Sequence, residues 1–198
     1  SGIKFTYAEV MGITDNFSFF LERKADSHAC VIGILMNDPV DFICALLSVL
    51  KTGRCYVPLS KDLLFARPKE IMFETKMRYV IIKESQVKKY FSFLDAHGLK
   101  VIPYPDYRKK IPLIAPYEEK DSLQANAYIM YTSGSTGKPK AVRIKQKGIV
   151  RVVKDSNYIH IENKDAIGQT SSLLFDASVF AIFSNINIFK PLLQTADL

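Results

Sequence analysis

The chain has 198 residues, of which 48% are hydrophobic and 24% are charged. This composition excludes a disordered or fibrous protein and is sufficient for one core or two small subdomains. The apolar runs at 31–36 and 42–47 are far too short to span a bilayer, and no signal-peptide pattern opens the sequence. We therefore expect a globular protein without a membrane partner.

A formal net charge of +7 raises the question of nucleic-acid binding. Most lysines are dispersed along the chain, and aromatic residues do not interleave with them as they do in base-stacking modules. One stretch, 138–154, contains basic residues and no acidic residue. We interpret its later part as a solvated helix face, and we expect no nucleic-acid partner.

The cysteines Cys30, Cys44 and Cys55 are odd in number, and neither they nor the histidines show the spacing of a metal site. Cys30 and Cys44 lie within apolar segments, which predicts buried free thiols. Free thiols are usual in a reducing compartment. The sequence therefore favours a cytoplasmic protein in which this chain binds no metal ion.

In chain order, the first elements begin and end at recognisable capping residues. Thr6 and Glu9 form an S/T-x-x-E capping box before an amphipathic helix, and 29–35 is a short apolar run typical of a buried strand. Asp38 then precedes Pro39, as expected for an N-cap followed by the first helical position. We expect that helix to end at Gly53.

Strands and helices continue to alternate. The pattern predicts strands at 55–57, 79–82 and 100–102 and helices at 68–76 and 85–96. Such alternation indicates βαβ units, so the predicted fold class is α/β with alternating helices and mainly parallel strands.

The chain divides into three predicted parts. Residues 1–102 form a first α/β lobe, the proline-rich and charged stretch 103–121 is a surface connection, and 122–198 form a second α/β segment. The second segment is predicted to contain strands at 127–130, 141–144 and 167–171 and a helix at 147–157. Ser178 is a candidate cap for a last helix.

The stretch between Thr132 and Lys140 is rich in glycine, hydroxyl and lysine residues and follows an apolar strand. Backbone N–H groups of such a loop can bind an anion, with hydroxyl and ammonium groups completing the shell. A solvated turn explains the same composition. The Walker pattern fails, because Pro139 follows Gly137-Lys138 and Thr132 occupies the first glycine position. The loop is therefore either an ordinary turn or a phosphate loop of another kind.

Four ordered motifs carry a resemblance to a known family. Residues 128–140 (YIMYTSGSTGKPK) resemble the signature of the adenylate-forming ligases, which include the amino-acid adenylation domains of nonribosomal peptide synthetases. Residues 5–10 (FTYAEV), 50–59 (LKTGRCYVPL) and 175–178 (FDAS) resemble the first, second and fourth core motifs of those domains. The resemblance implies the partial large N-terminal domain of the adenylate-forming ligase fold.

The resemblance also implies a two-step chemistry. Family members use ATP and Mg²⁺ to convert a carboxylic acid into an acyl-adenylate, and they then transfer the acyl group to the phosphopantetheine thiol of a carrier protein. Donors held near the phosphates stabilise the charge that develops there. Lys140 is assigned a weaker, electrostatic or loop-fixing role than the other predicted phosphate-binding residues, which are Thr132, Ser133, Gly134, Ser135, Thr136, Gly137 and Lys138.

The fourth motif indicates the substrate class. In peptide synthetases its Asp pairs with the α-ammonium group of the amino acid, and here that residue is Asp176. Helix initiation next to Ser178 is the alternative role. Ala177 and Phe180 occupy the second and third specificity positions and suggest an uncharged side chain, although Phe180 also suits an ordinary core position.

Departures from the family pattern qualify the prediction. Ala141 stands where Gly is usual, and Gln146 replaces a His that is usual two residues before Gly148. The chain opens with Ser1 and lacks the later motifs, including the catalytic Lys, so we expect an inactive piece of a longer enzyme. Its partners would be an α-amino acid, a peptidyl carrier protein and neighbouring synthetase domains. A stand-alone D-alanine–carrier-protein ligase and a non-catalytic relic remain alternatives.

Overall fold

A computed structural model describes residues 4–107, 116–118, 124–132, 139–153, 168 and 170–185. Within these ranges the helices are α1 (Tyr7–Lys24), α2 (Pro39–Lys51), α3 (Lys61–Ala66), α4 (Pro68–Thr75), α5 (Val87–Ala96), α6 (Gln146–Val153) and α7 (Ala177–Asn185). The strands are β1 (Val31–Leu35), β2 (Cys55–Pro58), β3 (Tyr79–Lys83), β4 (Lys100–Tyr104), β5 (Asn126–Thr132) and β6 (Lys140–Lys145). A short 3₁₀ turn, Glu84–Gln86, precedes α5.

The described strands form one sheet in the order β4-β3-β1-β2-β5-β6. All neighbouring pairs are parallel except β5 and β6, which are antiparallel. The predicted α/β class with mainly parallel strands is therefore confirmed. The sheet also runs across the predicted division of the chain, since β2 of the first part pairs with β5 of the second.

Helices cover both faces of the sheet, as a mainly parallel sheet requires. On one face α1, α2, α6 and α7 enclose a core cluster that includes Phe17, Phe42, Tyr56 and Ile182. On the other face α3, α4 and α5 enclose a second cluster that includes Leu64 and the residues Ile71, Val80 and Leu94. Different helices therefore pack on the two faces of the sheet.

Local chemistry accounts for the helix ends that the sequence predicted. The Thr6 hydroxyl accepts a hydrogen bond from the Glu9 N–H, and Glu9 accepts one from the Thr6 N–H, which completes the capping box. Asp38 accepts hydrogen bonds from the N–H groups of Val40 and Asp41. Gly53 has a φ of 72° after α2, a conformation that favours glycine.

Helices α1 and α2 are joined by buried polar contacts as well as by apolar packing. Lys51 Nζ lies 2.6 Å from Asp15 Oδ1, and both side chains are almost fully buried. The Ser48 hydroxyl donates to the carbonyl oxygen of Thr14 at 3.0 Å. Because a buried charge is costly without a partner, these contacts fix how the two helices face each other.

Several sequence predictions differ from the structure. Helix α3 was not predicted, although Ser60 caps it by accepting from the Leu63 N–H. The strand predicted at 167–171 is wrong for its described residues, since Gly168, Thr170 and Ser171 lie in no strand. The helix predicted at 147–157 begins at Gln146, and residues 154–157 lie outside the described ranges.

The predicted cap at Ser178 is also wrong. Helix α7 begins at Ala177, so Ser178 is already inside it. Its hydroxyl donates to the carbonyl oxygen of Phe175 at 2.7 Å instead of accepting from a helix N–H. A serine hydroxyl inside the first turn can turn back to the preceding backbone, and this satisfies its donor locally.

The start of the predicted connection, 103–121, belongs to the fold. Strand β4 continues through Tyr104, and Tyr104 and Tyr107 are buried against the Phe17 ring of α1. Aromatic rings in edge-to-face contact explain why this proline-rich stretch is not simply a surface loop. The three-part division of the chain at 1–102, 103–121 and 122–198 otherwise stays a prediction.

The cysteines are free, but they are not all buried. Cys30 is exposed, which corrects the prediction for that residue, while Cys44 and Cys55 are buried. Burial raises the pKa of each of these two thiols to about 12. Within the described ranges, no helix combines the length and the apolar character needed to cross a bilayer.

Thiol labelling provides a test of this fold. At about pH 8 we expect iodoacetamide to modify Cys30 rapidly and to leave Cys44 and Cys55 unmodified, because the thiolate is the reactive form and burial suppresses it. Mass spectrometry after a short pulse measures the three sites separately. The same pulse in concentrated guanidinium chloride should modify all three, and native labelling of Cys44 at the rate of Cys30 would contradict the structure.

Candidate functional site

The candidate site is built around the hairpin formed by β5 and β6. Thr132 ends β5, Lys140 begins β6, and the two residues are directly paired in the antiparallel register. The structure thus describes the two ends of the predicted phosphate loop. The remaining predicted phosphate-binding residues lie outside the described ranges: Ser133, Gly134, Ser135, Thr136, Gly137 and Lys138.

Strand β5 presents alternate residues to the two faces of the sheet. Tyr128 and Met130 belong to the core cluster under α6 and α7, whereas Ile129 and Tyr131 face the cluster under α3, α4 and α5. The period of two then places Thr132 on the same face as Tyr128. Since directly paired residues share a face, Lys140 lies on that face as well.

Asp176 lies immediately before α7 and is exposed. Among the described residues, no hydrogen bond or ion pair engages its carboxylate. Burial, followed by the negative charge of Asp176, raises the pKa of Tyr128 to about 12. The carboxylate is therefore close enough to β5 to act electrostatically on a residue that shares a face with Thr132.

The other two predicted substrate residues lie on α7 itself. Ala177, its first residue, is exposed, and Phe180 is half-buried. Among the buried positions of this helix, Val179, Ile182 and Phe183 belong to the core cluster. Helix α7 packs against α6, so the core contacts hold it in place and leave Ala177 and Phe180 away from its most buried side.

The opposite side of the hairpin contains residues that sequence reasoning missed. The Tyr131 hydroxyl donates to Glu74 Oε2 at 2.8 Å, and Arg143 of β6 donates to the main-chain oxygen of Glu74. Arg67, just before α4, approaches the carbonyl oxygen of Pro139 at 3.5 Å. These contacts join residues far apart in sequence, and no local motif signals them.

The two residues that depart from the family pattern both lie within the described ranges. Ala141 pairs with Tyr131 inside the hairpin, where the backbone is extended and no glycine is required. The Gln146 N–H donates to the Ala125 carbonyl oxygen at 3.0 Å, while its buried side-chain nitrogen Nε2 has no hydrogen-bond partner among the described residues. The main-chain hydrogen bond thus fixes the start of α6 against Ala125.

The described side chains at the two ends of the loop are of a kind that suits a polyphosphate. A threonine hydroxyl and a lysine ammonium group flank the loop, and both are ordinary phosphate ligands. Glu74, the carboxylate on the other side of the hairpin, already accepts from Tyr131. The described residues contain no group of three or more His, Cys, Asp or Glu side chains that could hold a metal ion.

Comparison with known proteins identifies the class. The family model described as "AMP-binding enzyme" matches residues 1–187, which is nearly the whole chain. The chain belongs to the AMP-binding enzyme family. This confirms the family that the four motifs indicated.

Related sequences are large synthetases. Surfactin synthase subunit 2 of Bacillus subtilis (strain 168) is 35% identical over 192 residues, which cover 92% of this chain and 5% of that protein. Bacitracin synthase 3 of Bacillus licheniformis is 32% identical over 179 residues, covering 90% of this chain and 3% of that protein. The chain therefore spans only a small part of these relatives.

Solved structures share the fold. A nonribosomal peptide synthetase, FmoA3, in a form bound to alpha-methyl-L-serine-AMP, matches with a TM-score of 0.74 and 22% identity over 94% of this chain and 20% of that one. ATP-bound MatB from Rhodopseudomonas palustris matches with a TM-score of 0.74 and 16% identity over 95% of this chain and 39% of that one. These similarities confirm the fold class of the adenylate-forming ligases.

The position of Thr132 leads to a test on the full-length parent domain. We expect Thr132→Val to weaken ATP binding about tenfold or more, because it removes one hydrogen bond to a charged group and keeps the β-branched shape. Lys140→Met should have a smaller effect. Isothermal titration of ATP measures both.

Lys145→Met is the matched control for Lys140→Met. Both lysines are exposed on β6, but Lys145 lies at the end away from the loop. ATP affinity should be unchanged in this variant. Unchanged affinity in Thr132→Val as well would remove Thr132 from the phosphate site.

Proposed function

We propose that this chain is the N-terminal part of an amino-acid adenylation domain in a nonribosomal peptide synthetase. The observation that carries the proposal is the exposed Asp176 carboxylate just before α7, a helix that packs on the face of the sheet to which Thr132 also belongs. An exposed carboxylate there suits the α-ammonium group of an amino acid, and Thr132 suits a phosphate. The synthetase relatives support the same choice.

The proposed reaction is adenylation. A carboxylate oxygen of the amino acid attacks the α-phosphorus of ATP, the bond from that phosphorus to the bridging oxygen breaks, and pyrophosphate leaves. Thr132 and the loop that follows it hold the β- and γ-phosphates, and Lys140 adds positive potential. Mg²⁺, when bound, neutralises phosphate charge; in our proposal its carboxylate ligands lie outside this chain.

Asp176 acts on the other substrate. Its carboxylate pairs with the α-ammonium group and so orients the amino-acid carboxylate toward ATP. Ala177 and Phe180 border the side-chain pocket and favour an uncharged substrate. The catalytic Lys belongs to a later part of the parent protein, so this chain alone is expected to be inactive.

The second half-reaction requires partners. The thiol of a phosphopantetheine group on a peptidyl carrier protein attacks the acyl carbon of the aminoacyl-adenylate, and AMP leaves as the thioester forms. Neighbouring synthetase domains would supply and use that carrier. We place the parent protein in the cytoplasm, where ATP is available and where an exposed free thiol such as Cys30 stays reduced.

ATP–pyrophosphate exchange tests this function. The full-length parent domain is assayed with a panel of α-amino acids that includes D-alanine. Exchange with one or a few α-amino acids supports the proposal. Exchange with D-alanine alone favours a D-alanine–carrier-protein ligase, and a folded parent without exchange for any amino acid favours a non-catalytic relic.

Asp176 provides the sharper prediction. We expect Asp176→Asn to raise the KM for the amino acid at least about tenfold, because a charge-assisted contact to the ammonium group is lost, while the KM for ATP changes less than about twofold. Asp95→Asn on the other face of the sheet is the matched control and should change neither constant. Equal losses for both substrates in Asp176→Asn would contradict the ammonium-binding role.

A further inference from the structure

Helix α4 contacts the hairpin on the face opposite to Asp176. Glu74, near the end of α4, accepts a hydrogen bond from the Tyr131 hydroxyl at 2.8 Å, and Tyr131 is the residue before Thr132. Arg143 of β6 donates to the main-chain oxygen of the same glutamate. One residue of α4 therefore contacts both strands of the hairpin.

The other end of α4 contacts the hairpin where the chain returns from the loop. Arg67 precedes the helix, and its Nη1 approaches the carbonyl oxygen of Pro139 at 3.5 Å. Pro139 is the residue before Lys140. The two ends of one helix thus contact the residues next to Thr132 and Lys140, at the entrance and exit of the loop.

Helix α4 is itself firmly held. Ile71 is completely buried in the second core cluster, and Thr75, also buried, donates to the Ile71 carbonyl oxygen at 2.6 Å. Strand β6, in contrast, lies at the edge of the described sheet and pairs there only with β5. An edge strand of a hairpin is weakly restrained by pairing alone, so its position depends on further contacts.

We propose that Glu74 and Arg67 are positioning residues that fix the two ends of the phosphate loop through Tyr131 and Pro139. The inference rests on the proposed function in that the loop binds ATP. Neither residue touches ATP in this scheme. Each fixes a strand end, and the preset geometry lowers the conformational entropy that ATP binding would otherwise cost.

The test uses variants of the full-length parent domain. Tyr131→Phe removes the hydroxyl and keeps the ring, Glu74→Ala removes the acceptor, and Glu74→Gln keeps a side-chain oxygen that can accept. The matched control is Tyr79→Phe on β3, whose hydroxyl donates to Asp26 Oδ2 at 2.7 Å. Control and test variants therefore lose the same kind of hydrogen bond at different places.

The kinetic result separates positioning from general stability. We expect Tyr131→Phe and Glu74→Ala to raise the KM for ATP about three- to tenfold, while the KM for the amino acid stays constant and Glu74→Gln remains within about twofold of the wild type. Tyr79→Phe should leave the KM for ATP unchanged. A wild-type KM for ATP in Tyr131→Phe, or an equal rise in Tyr79→Phe, overturns the inference.

Arg67 is tested in the same assay. Arg67→Lys keeps the positive charge and loses the planar fork of donors, so we expect it to raise the KM for ATP as Arg67→Ala does. Lys69→Ala, an exposed basic residue on α4, is the control for loss of positive charge near the helix start. Equal effects of Arg67→Ala and Lys69→Ala would assign Arg67 a general electrostatic role and contradict positioning.

A second measurement is independent of the enzymatic function. Amide hydrogen exchange in the absence of ATP should be faster at Thr132 and Lys140 in Tyr131→Phe and Glu74→Ala than in Tyr79→Phe, because the hairpin ends are released. If the wild-type domain shows no pyrophosphate exchange, the proposed function fails while this measurement still decides the positioning role. Unchanged amide exchange at both residues overturns the inference in either case.

Discussion

Strand β5 is held in the sheet by its parallel pairing with β2, in the register that joins Tyr56 to Tyr128. The two ring centroids lie 5.6 Å apart, and Tyr56 is fully buried. Since side chains alternate along a strand, this register puts Tyr128 and Thr132 on the face of α7 and puts Tyr131 on the face of α4. If β5 shifted by one residue relative to β2, the side chains on its two faces would exchange places. Tyr131 would then be separated from Glu74.

Aromatic packing between α2, β2 and β5 supports this register. The rings of Phe42 and Tyr56 meet edge to face with their centroids 6.5 Å apart, and Tyr56 contacts Tyr128 in turn. Each aromatic contact of this kind contributes about 0.5–1.5 kcal/mol beyond the area that it buries. Helix α2 also packs against α1 through the core cluster and the ion pair between Lys51 and Asp15, so a continuous set of contacts joins the hairpin to these two helices.

The sequence was most informative where the chemistry is local. The capping box at Thr6 and the cap at Asp38 involve neighbours within a few residues, and both were predicted correctly. Contacts between distant residues could not be predicted, because Tyr131 and Glu74 are 57 positions apart. The exposure of Cys30 was missed for a related reason, since apolar neighbours in sequence do not determine which side of the chain faces solvent.

In the candidate site, too, local features could be predicted from the sequence and contacts between distant residues could not. Its candidate residues Thr132, Lys140 and Asp176 could be proposed from the sequence because each belongs to a short local motif. The register that gives Thr132 and Lys140 a common face depends on β5 and β6 pairing as an antiparallel hairpin, which the sequence pattern did not specify. The part played by α4 needed the packed structure, since Arg67 and Pro139 are 72 positions apart.

The exposure of Asp176 finally bears on how a substrate could be recognised. An ion pair at a solvent-exposed carboxylate contributes only about 0–1 kcal/mol, because water screens both charges. Selective binding of an α-ammonium group needs a drier environment, in which the same pair is stronger and an uncharged competitor leaves the carboxylate unpaired. Among the described residues, α7 leaves Asp176 and Ala177 open to solvent, so a substrate bound there would need a further covering surface. In the proposed site, the Asp176 carboxylate would determine which charge is bound, and the residues that cover it would determine how strongly.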